Sequence, residues 1–420
     1  MRSRSRARGG VLAFAFLLSV ITYLDRICIS AAAPFMMDEL HLTVLEMSLV
    51  FGAFTLAYSL FEIPSGWLGD VRGPRRVLTR IVLWWSAFTM LTGAARGFPS
   101  LLSIRFLFGA GEAGAFPNIS RAFSRWFPAR ERGQANGVLF LGSRVGGMLS
   151  APVALVLIQR WGWRTSFVAF GTLGLAWAAA WHAWYRDRPD DHSSVDAGEL
   201  AWIQQDGVRP DGHEVKTPWR ALVRSRNLYA ICAMYFAFGY GLYFYFTWLP
   251  TYLVRVLGFS LFAGGLFAAL PFVLAGMADL VGGWLTDRLA HLYGLRTARC
   301  HLGCASFSTC AAFVFASTLA SSPVAKAVLL ALALASADLA LGACWAVCLD
   351  VGADHAGVVT GFMNTLGNLG GLIGPIVLGI AVDRWHSWVF PFHVTAVVYA
   401  AGAVAWLFID PNEGISNGEW

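Results

Sequence analysis

Twelve apolar runs, each of about 20 residues, recur along the whole chain and are separated by short polar segments. Few folds accept such a pattern. A stretch of that length crosses the hydrocarbon core of a bilayer as an α-helix, whereas barrel strands are half as long and alternate in polarity. The composition agrees, at 57% hydrophobic and 13% charged residues, against roughly 45–50% and about 25% in soluble domains. The expected fold is an all-α membrane protein with twelve transmembrane helices. The first run follows the basic residues Arg2, Arg4, Arg6 and Arg8, as the core of a signal peptide would, and alanines at 31–33 resemble a cleavage region. Its apolar core continues through Asp25 and Arg26, and its removal would leave an odd number of spans, so the first helix is expected to be retained.

Loop charge sets the orientation. With a cytoplasmic N-terminus, 22 of the 31 Lys and Arg residues fall in cytoplasmic segments, six on the opposite side and three inside spans. This is a strong positive-inside bias, and it places both termini in the cytoplasm. The net charge of +6 is thereby explained by topology and does not call for nucleic acid. The longest polar segment, near 186–225, divides the spans six and six, giving halves at 1–185 and 226–420 joined by a cytoplasmic linker. A repeat supports the division. Gly-Trp-Leu-Gly-Asp at 66–70 returns as Gly-Trp-Leu-Thr-Asp at 283–287, each at the cytoplasmic end of the second helix of its half. The seven cysteines are scattered through the spans and imply no disulfide framework, and no group of His, Cys and carboxylates has metal-ligand spacing. The short loops fit a bacterial inner-membrane protein, expected to be monomeric.

Four ionisable residues, Asp25, Arg26, Arg105 and Glu112, interrupt otherwise apolar spans at 11–35 and 101–120. Each costs about 2.5–3.5 kcal/mol at a helix centre on insertion scales, so their presence needs a reason. Mutual neutralisation as buried ion pairs is one reading; carriage of an anion together with protons is the other. Arg105 and Glu112 are seven residues apart, on nearly one helix face with a rise of about 10 Å between them. Asp25 and Arg26 are adjacent, about 100° apart around their helix, so that one can bind while the other titrates. Arginine stays charged and grips carboxylates with two N–H groups, which suits an anion site, while the acids suit proton transfer. An arginine occupied by substrate no longer neutralises a neighbouring carboxylate, and that couples the two ligands. Arg144, in Gly-Ser-Arg-Val-Gly-Gly, is a third intramembrane cation. It either meets a second anionic group of the substrate, pairs with Glu112, or reaches the cytoplasmic surface. Glu62, beside Pro64, fits a gate or snorkelling role, and Asp279 and Asp338 are left without a role.

Two motifs mislead. Gly-Ala-Gly-Glu-Ala-Gly at 109–114 satisfies the dinucleotide pattern, but it lies inside an apolar helix with no strand before it, and its glycines suit close helix packing. Asn-Ile-Ser at 118–120 matches a glycosylation acceptor at the cytoplasmic end of its helix.

Several longer blocks carry a family resemblance: Gly-Trp-Leu-Gly-Asp-Val-Arg-Gly-Pro-Arg-Arg at 66–76, Tyr-Leu-Asp-Arg at 23–26, Ala-Tyr-Ser-Leu-Phe-Glu-Ile-Pro-Ser-Gly-Trp at 57–67, Arg-Phe-Leu-Phe-Gly-Ala-Gly-Glu-Ala-Gly-Ala-Phe-Pro-Asn at 105–118, Trp-Leu-Pro-Thr-Tyr at 248–252 and Gly-Phe-Met-Asn-Thr-Leu-Gly-Asn at 361–368. The first resembles the signature between helices 2 and 3 of the major facilitator superfamily. Together the blocks resemble the anion:cation symporters of that superfamily over nearly the whole chain, and most of all the bacterial galactonate, hexuronate and glucarate carriers. The resemblance implies the two-half major facilitator fold and a secondary active transporter working by alternating access. It implies proton symport of an organic anion such as a hexuronate, aldonate or aldarate, with protons as the coupling ion and no cofactor. Proton coupling falls on Asp25 and Glu112, and substrate binding on Arg26, Arg105, Tyr23, Tyr58, Arg144, Trp345 and Asn364. Gating falls on Asp70, Arg75 and Asp287. Arg144 departs from the galactonate carriers, which tend to have an uncharged polar residue there. An anion exchanger, a sodium-coupled carrier and a non-transporting anion sensor are the alternatives; no converging nucleophile and base points to an enzyme.

Overall fold

A computed structural model describes residues 7–128, 131–204, 222, 224–352 and 356–413, without the side chains of Ile63, Asp70, Asp287 and Ala356. Every regular element among the described residues is helical. The first part of the chain forms α1 (Ala7–Leu40), α2 (Val44–Arg72), α3 (Pro74–Thr92), α4 (Phe98–Glu112), α5 (Ala115–Trp126), α6 (Arg132–Trp184) and the short α7 (Ala197–Gln204). The second part forms α8 (Arg226–Thr247), α9 (Leu261–Tyr293), α10 (Leu302–Leu319), α11 (Pro323–Asp338), α12 (Leu341–Gly352), α13 (Ala356–Trp385) and α14 (Val389–Leu407).

Among the described residues, nine helices are long and apolar enough to cross a membrane, fewer than the twelve runs in the sequence. The difference has local causes. α6 is counted once although Gly162, at φ 79° and ψ 162°, breaks it near its middle. A left-handed φ suits glycine, which has no Cβ to clash there. α3 carries Arg75, Arg76 and Arg80, and α4 is only 15 residues long before the chain breaks at Ala113 and Gly114 and resumes as α5. The outward face of the protein is apolar as well, with Leu280 78% and Phe262 71% exposed, a surface that lipid accepts and water does not.

The chain divides into two compact units, Met1–Leu42 with Ala53–His213, and Thr43–Gly52 with Glu214–Trp420. In the first, α6 packs on α1 and α3, and α3 on α4. Its core holds Trp85, Phe108, Phe123, Trp126, Trp181 and Tyr185, the last two stacked with ring centroids 3.9 Å apart. At the end identified from sequence as cytoplasmic, Gly73 turns the chain at φ 82° into Pro74 at the first position of α3, where proline lacks no needed N–H. The beginning of the expected linker is packed against this unit. Arg8 bridges Glu131 at 2.6 Å and Glu199 of α7 at 3.2 Å, and Glu199 also accepts from the Arg8 backbone N–H at 3.1 Å, at the start of α1. A carboxylate at a helix N-terminus is favoured by the unpaired N–H groups and the dipole.

In the second unit α8 packs on α13 and α14, α10 on α14, and α9 and α10 on α11. The first turns of α2 belong here. Asp383 of α13 accepts from the backbone N–H groups of Val44 at 3.2 Å and Leu45 at 2.8 Å, and the Phe51 ring meets Trp248 edge-on at 5.4 Å. α11 ends at Asp338, and the chain turns through Leu339 and Ala340 before α12, a break like that between α4 and α5.

Candidate functional site

The candidate site lies in the first unit, where α1, α2 and α4 meet. On α1 the 100° step between neighbours sends Asp25 and Arg26 in different directions. The Arg26 guanidinium reaches Glu112, the last residue of α4, donating from Nε to Oε1 at 2.9 Å and from a terminal nitrogen to the same oxygen. Glu112 is fully buried, and the Arg26 side chain keeps 10% of its surface. Three rings surround the guanidinium: Tyr23 at 5.2 Å, Phe54 at 5.0 Å and Tyr58 at 4.8 Å. The quadrupole of an aromatic face attracts a cation, and more so away from water.

Arg105 sits two turns before Glu112 on α4 and is 2% exposed. Its guanidinium lies over Phe108 at 4.3 Å and near Phe54 at 5.3 Å, and its Nε has no hydrogen-bond acceptor. Asp25 is 1% exposed, with neither carboxylate oxygen in a hydrogen bond. Arg105, Glu112 and the α3 side chains Trp85 and Thr89 are its neighbours. The four charges therefore form one electrostatic group, in which Arg26 is committed to Glu112 and keeps more surface than the other three.

Small residues make this approach possible. A Cβ on Gly109 would strike the backbone of Phe54, so glycine lets α4 lie directly against α2. Gly142 and Gly146 of α6 press likewise on Phe16, Val20 and Tyr23 of α1, and half-buried Arg144 lies between them in sequence. Asn118, 1% exposed, donates to the carbonyls of Ser65 at 3.0 Å and Gly114 at 2.7 Å, tying α5 to α2.

The other residues picked out from sequence lie elsewhere. Trp345 on α12 is 38% exposed and meets the Tyr235 ring edge-on at 6.4 Å, and Asn364 is half-buried on α13. Both belong to the second unit. Arg75 donates through Nε and a terminal nitrogen to the His182 carbonyl at 3.0 and 2.7 Å, and through its backbone N–H to Asp187 at 3.0 Å. It staples α3 to the end of α6. The side chains of Asp70 and Asp287 lie outside the described residues. Among the described residues no group of three His, Cys, Asp or Glu could hold a metal ion. Sequence reasoning missed Phe54, Phe108, Trp85 and Thr89 as the walls of the charged group. The available signal was the i, i+4 pair Trp85 and Thr89 in one span.

The Major Facilitator Superfamily profile matches residues 15–375. A Cupriavidus necator protein named as a probable sulfoacetate transporter is 36% identical over 413 residues, covering 98% of this chain and 96% of that one. A hexuronate transporter of Bacillus subtilis is 32% identical over 379 residues, 89% of this chain and 88% of the other. Among solved structures, a D-xylose–proton symporter is similar in fold, with a TM-score of 0.78 at 13% identity across 97% of this chain and 99% of that one.

Proposed function

The chain belongs to the Major Facilitator Superfamily, and on that premise we propose that it is a secondary active transporter of a small organic anion, driven by protons taken up in the same direction. The observation that carries this reading is the Arg26–Glu112 pair inside its ring of Tyr23, Phe54 and Tyr58. Arg26 is the cation of the group that keeps some surface, and its two donating nitrogens match an incoming carboxylate or sulfonate. When the substrate takes those donors, Glu112 is left buried beside an arginine already engaged. An uncompensated charge at that depth is costly, so Glu112 accepts a proton. Substrate and proton then load together. Asp25 provides a second proton site, and Arg105 holds positive charge beside both acids.

The substrate class is a sugar acid or a short anion with a second acidic group. The first follows the hexuronate carrier and the second the sulfoacetate carrier, with Arg144 as the added cation. The topology in this reading has twelve spans, with α6 crossing twice, α4 and α5 making one crossing and α11 and α12 another. Both termini are cytoplasmic, the protein is a monomer of the inner membrane, and the two units alternate access to the site. Asp70, Arg75 and Asp287 act at its cytoplasmic gate.

Proton influx into liposomes holding the purified protein tests this when pooled hexuronates, aldonates, aldarates, dicarboxylates or sulfoacetate are added outside. Influx is expected with one pool and is lost in Glu112→Gln, while exchange of labelled anion across the membrane persists. Absence of influx with every pool, in folded protein, shifts the assignment to an exchanger or a sodium-coupled carrier.

A further inference from the structure

We infer that Trp85 and Thr89 on α3 are positioning residues for the second proton site, receiving the carboxylate of Asp25 when its proton leaves. This rests on the proton-coupled reading above, in which Asp25 is that site. A buried acid that carries protons must be tolerated in both of its states, and the charged state is the costly one away from water. Two complementary groups are left over around it. Neither oxygen of Asp25 is in a hydrogen bond, and the indole N–H of Trp85, at 0% exposure, has no acceptor among the described residues. Buried polar atoms in that condition are rare and call for a reason. Here the acceptor and the donor are neighbours, and Thr89, one turn along α3 and 1% exposed, is the third member.

Thr89 Oγ1 donates to the Trp85 carbonyl at 3.0 Å. A hydroxyl has one proton and two lone pairs, so it can serve either state of its neighbour. With Asp25 protonated, the carboxyl O–H is given to Thr89, which keeps its bond to the Trp85 carbonyl. With Asp25 charged, the hydroxyl turns to donate to the carboxylate, and the indole N–H donates beside it. Donors aimed at the charged form ease release of the proton. α6 holds this wall in place. A Cβ on Gly174 would strike the Ser86 hydroxyl and lie 3.5 Å from the indole nitrogen, and one on Gly171 would strike Met90 and the Ser86 carbonyl. α3 and α6 are therefore pressed together at the level of Trp85. The ionisable neighbours of Asp25 are Arg105 and Glu112 on α4 and Cys28 on α1. Tyr23 and Arg26 share α1 with it, the second turned to Glu112, and α2 adds Tyr58 and Glu62. Of the other helices packed on α1, α6 carries Arg144 within the crossing, and α5 carries Arg121 and Arg125, the last facing Asp187 at 3.5 Å. The arginines keep their charge throughout the pH range of a titration, and Glu112 is separated by its own variant.

Infrared difference spectra between acid and alkaline buffer, taken on the full chain in liposomes without substrate, should contain a carboxylic-acid carbonyl band that Asp25→Asn removes and Glu112→Gln retains. The pH midpoint of that band is read, with the melting temperature measured alongside. Thr89→Val keeps the shape of the side chain and removes the hydroxyl, and Trp85→Phe removes the N–H. Each should move the midpoint by about one pH unit toward alkaline, the size of a lost charged hydrogen bond, and Thr89→Ser should restore it. A packing role would lower the melting temperature and leave the midpoint in place. An unmoved midpoint in one variant removes that residue from the assignment, and unmoved midpoints in both overturn the proposal. If Trp85→Phe does not fold, Thr89→Val and Thr89→Ser decide. A wild-type protein with no band that depends on Asp25 overturns the second proton site itself and this proposal with it, whereas a band that is present with unmoved midpoints overturns this proposal alone.

Discussion

Arg26 and Arg105 carry the same charge into the same group, but their settings differ, and so should their variants. Arg26 spends its fork on Glu112 and retains a little exposed surface, while Arg105 is enclosed between Phe108 and Phe54. Lysine keeps the charge of either residue and removes the planar pair of donors. Arg26→Lys should therefore weaken substrate binding about 10- to 100-fold, the range of a lost charged hydrogen bond, with little change in melting temperature. Arg105→Ala removes the cation beside Asp25 and leaves Glu112 with Arg26 alone, a change of about 3–5 kcal/mol in comparable buried networks, so affinity and melting temperature should fall together. Calorimetry and thermal unfolding of the purified variants check both. Full affinity in Arg26→Lys would remove the anion grip from that residue. These assignments needed the folded structure. The sequence shows charges in apolar spans and the angle between neighbours on a helix, but whether Glu112 meets Arg26 or Arg144 depends on how three helices are rotated against one another.

Helices with continuous apolar faces were legible from sequence because burial in lipid demands them on every side, as α8 to α10 and α14 show. Breaks were less legible. Ala113 and Leu339 resemble ordinary helical residues, whereas the break of α6 at Gly162 lies among Gln159, Arg160 and Arg164, one of the polar segments between the twelve apolar runs. The packing of Arg186 to Gln204 on the first unit was also hidden, since Arg8 meets Glu131 and Glu199 across long sequence separations. Glycine shows how element packing reaches the site. Gly109→Ala drives a methyl group into the Phe54 backbone, which must move α4 away from α2 and separate Glu112 from the rings around Arg26. Backbone offers no rotamer escape, so a loss of at least the 1–3 kcal/mol typical of overpacking is expected, with a lower melting temperature and weaker substrate binding. Gly137→Ala is the control. Nothing lies within 4 Å of its added carbon, and alanine is the better helix former, by about 1 kcal/mol. Equal behaviour of the two variants would show that the close α2–α4 contact does not hold the site.

At the scale of the molecule, the division into units does not follow the order of the chain. Thr43–Gly52 lies in the first half of the sequence and belongs to the second unit, where Asp383 caps Val44 and Leu45 and Trp248 packs on Phe51. A polypeptide starting in the linker therefore lacks a piece of its own compact unit. The Asp383 carboxylate would lose both N–H donors, and Gly379, which fits against Ser48 and Leu45, would border empty space. By contrast, a cut between Gln204 and Leu222 severs none of the described contacts that hold either unit, since the first ends its packing with α7 and the second begins with Ser225 capping α8. Fragments 1–213 and 214–420 produced together should thus assemble and take up the anion that the intact chain accepts, at a rate within about tenfold of it. The second fragment alone should be recovered in low yield and aggregate on extraction. Adding the first fragment should rescue it, and one carrying Phe51→Ala should rescue it less well, as loss of a buried ring costs about 3–5 kcal/mol. Labelled-anion uptake and gel filtration of the co-expressed pieces measure this. A second fragment as stable alone as with its partner would mean that the first turns of α2 contribute nothing to the unit in which they lie.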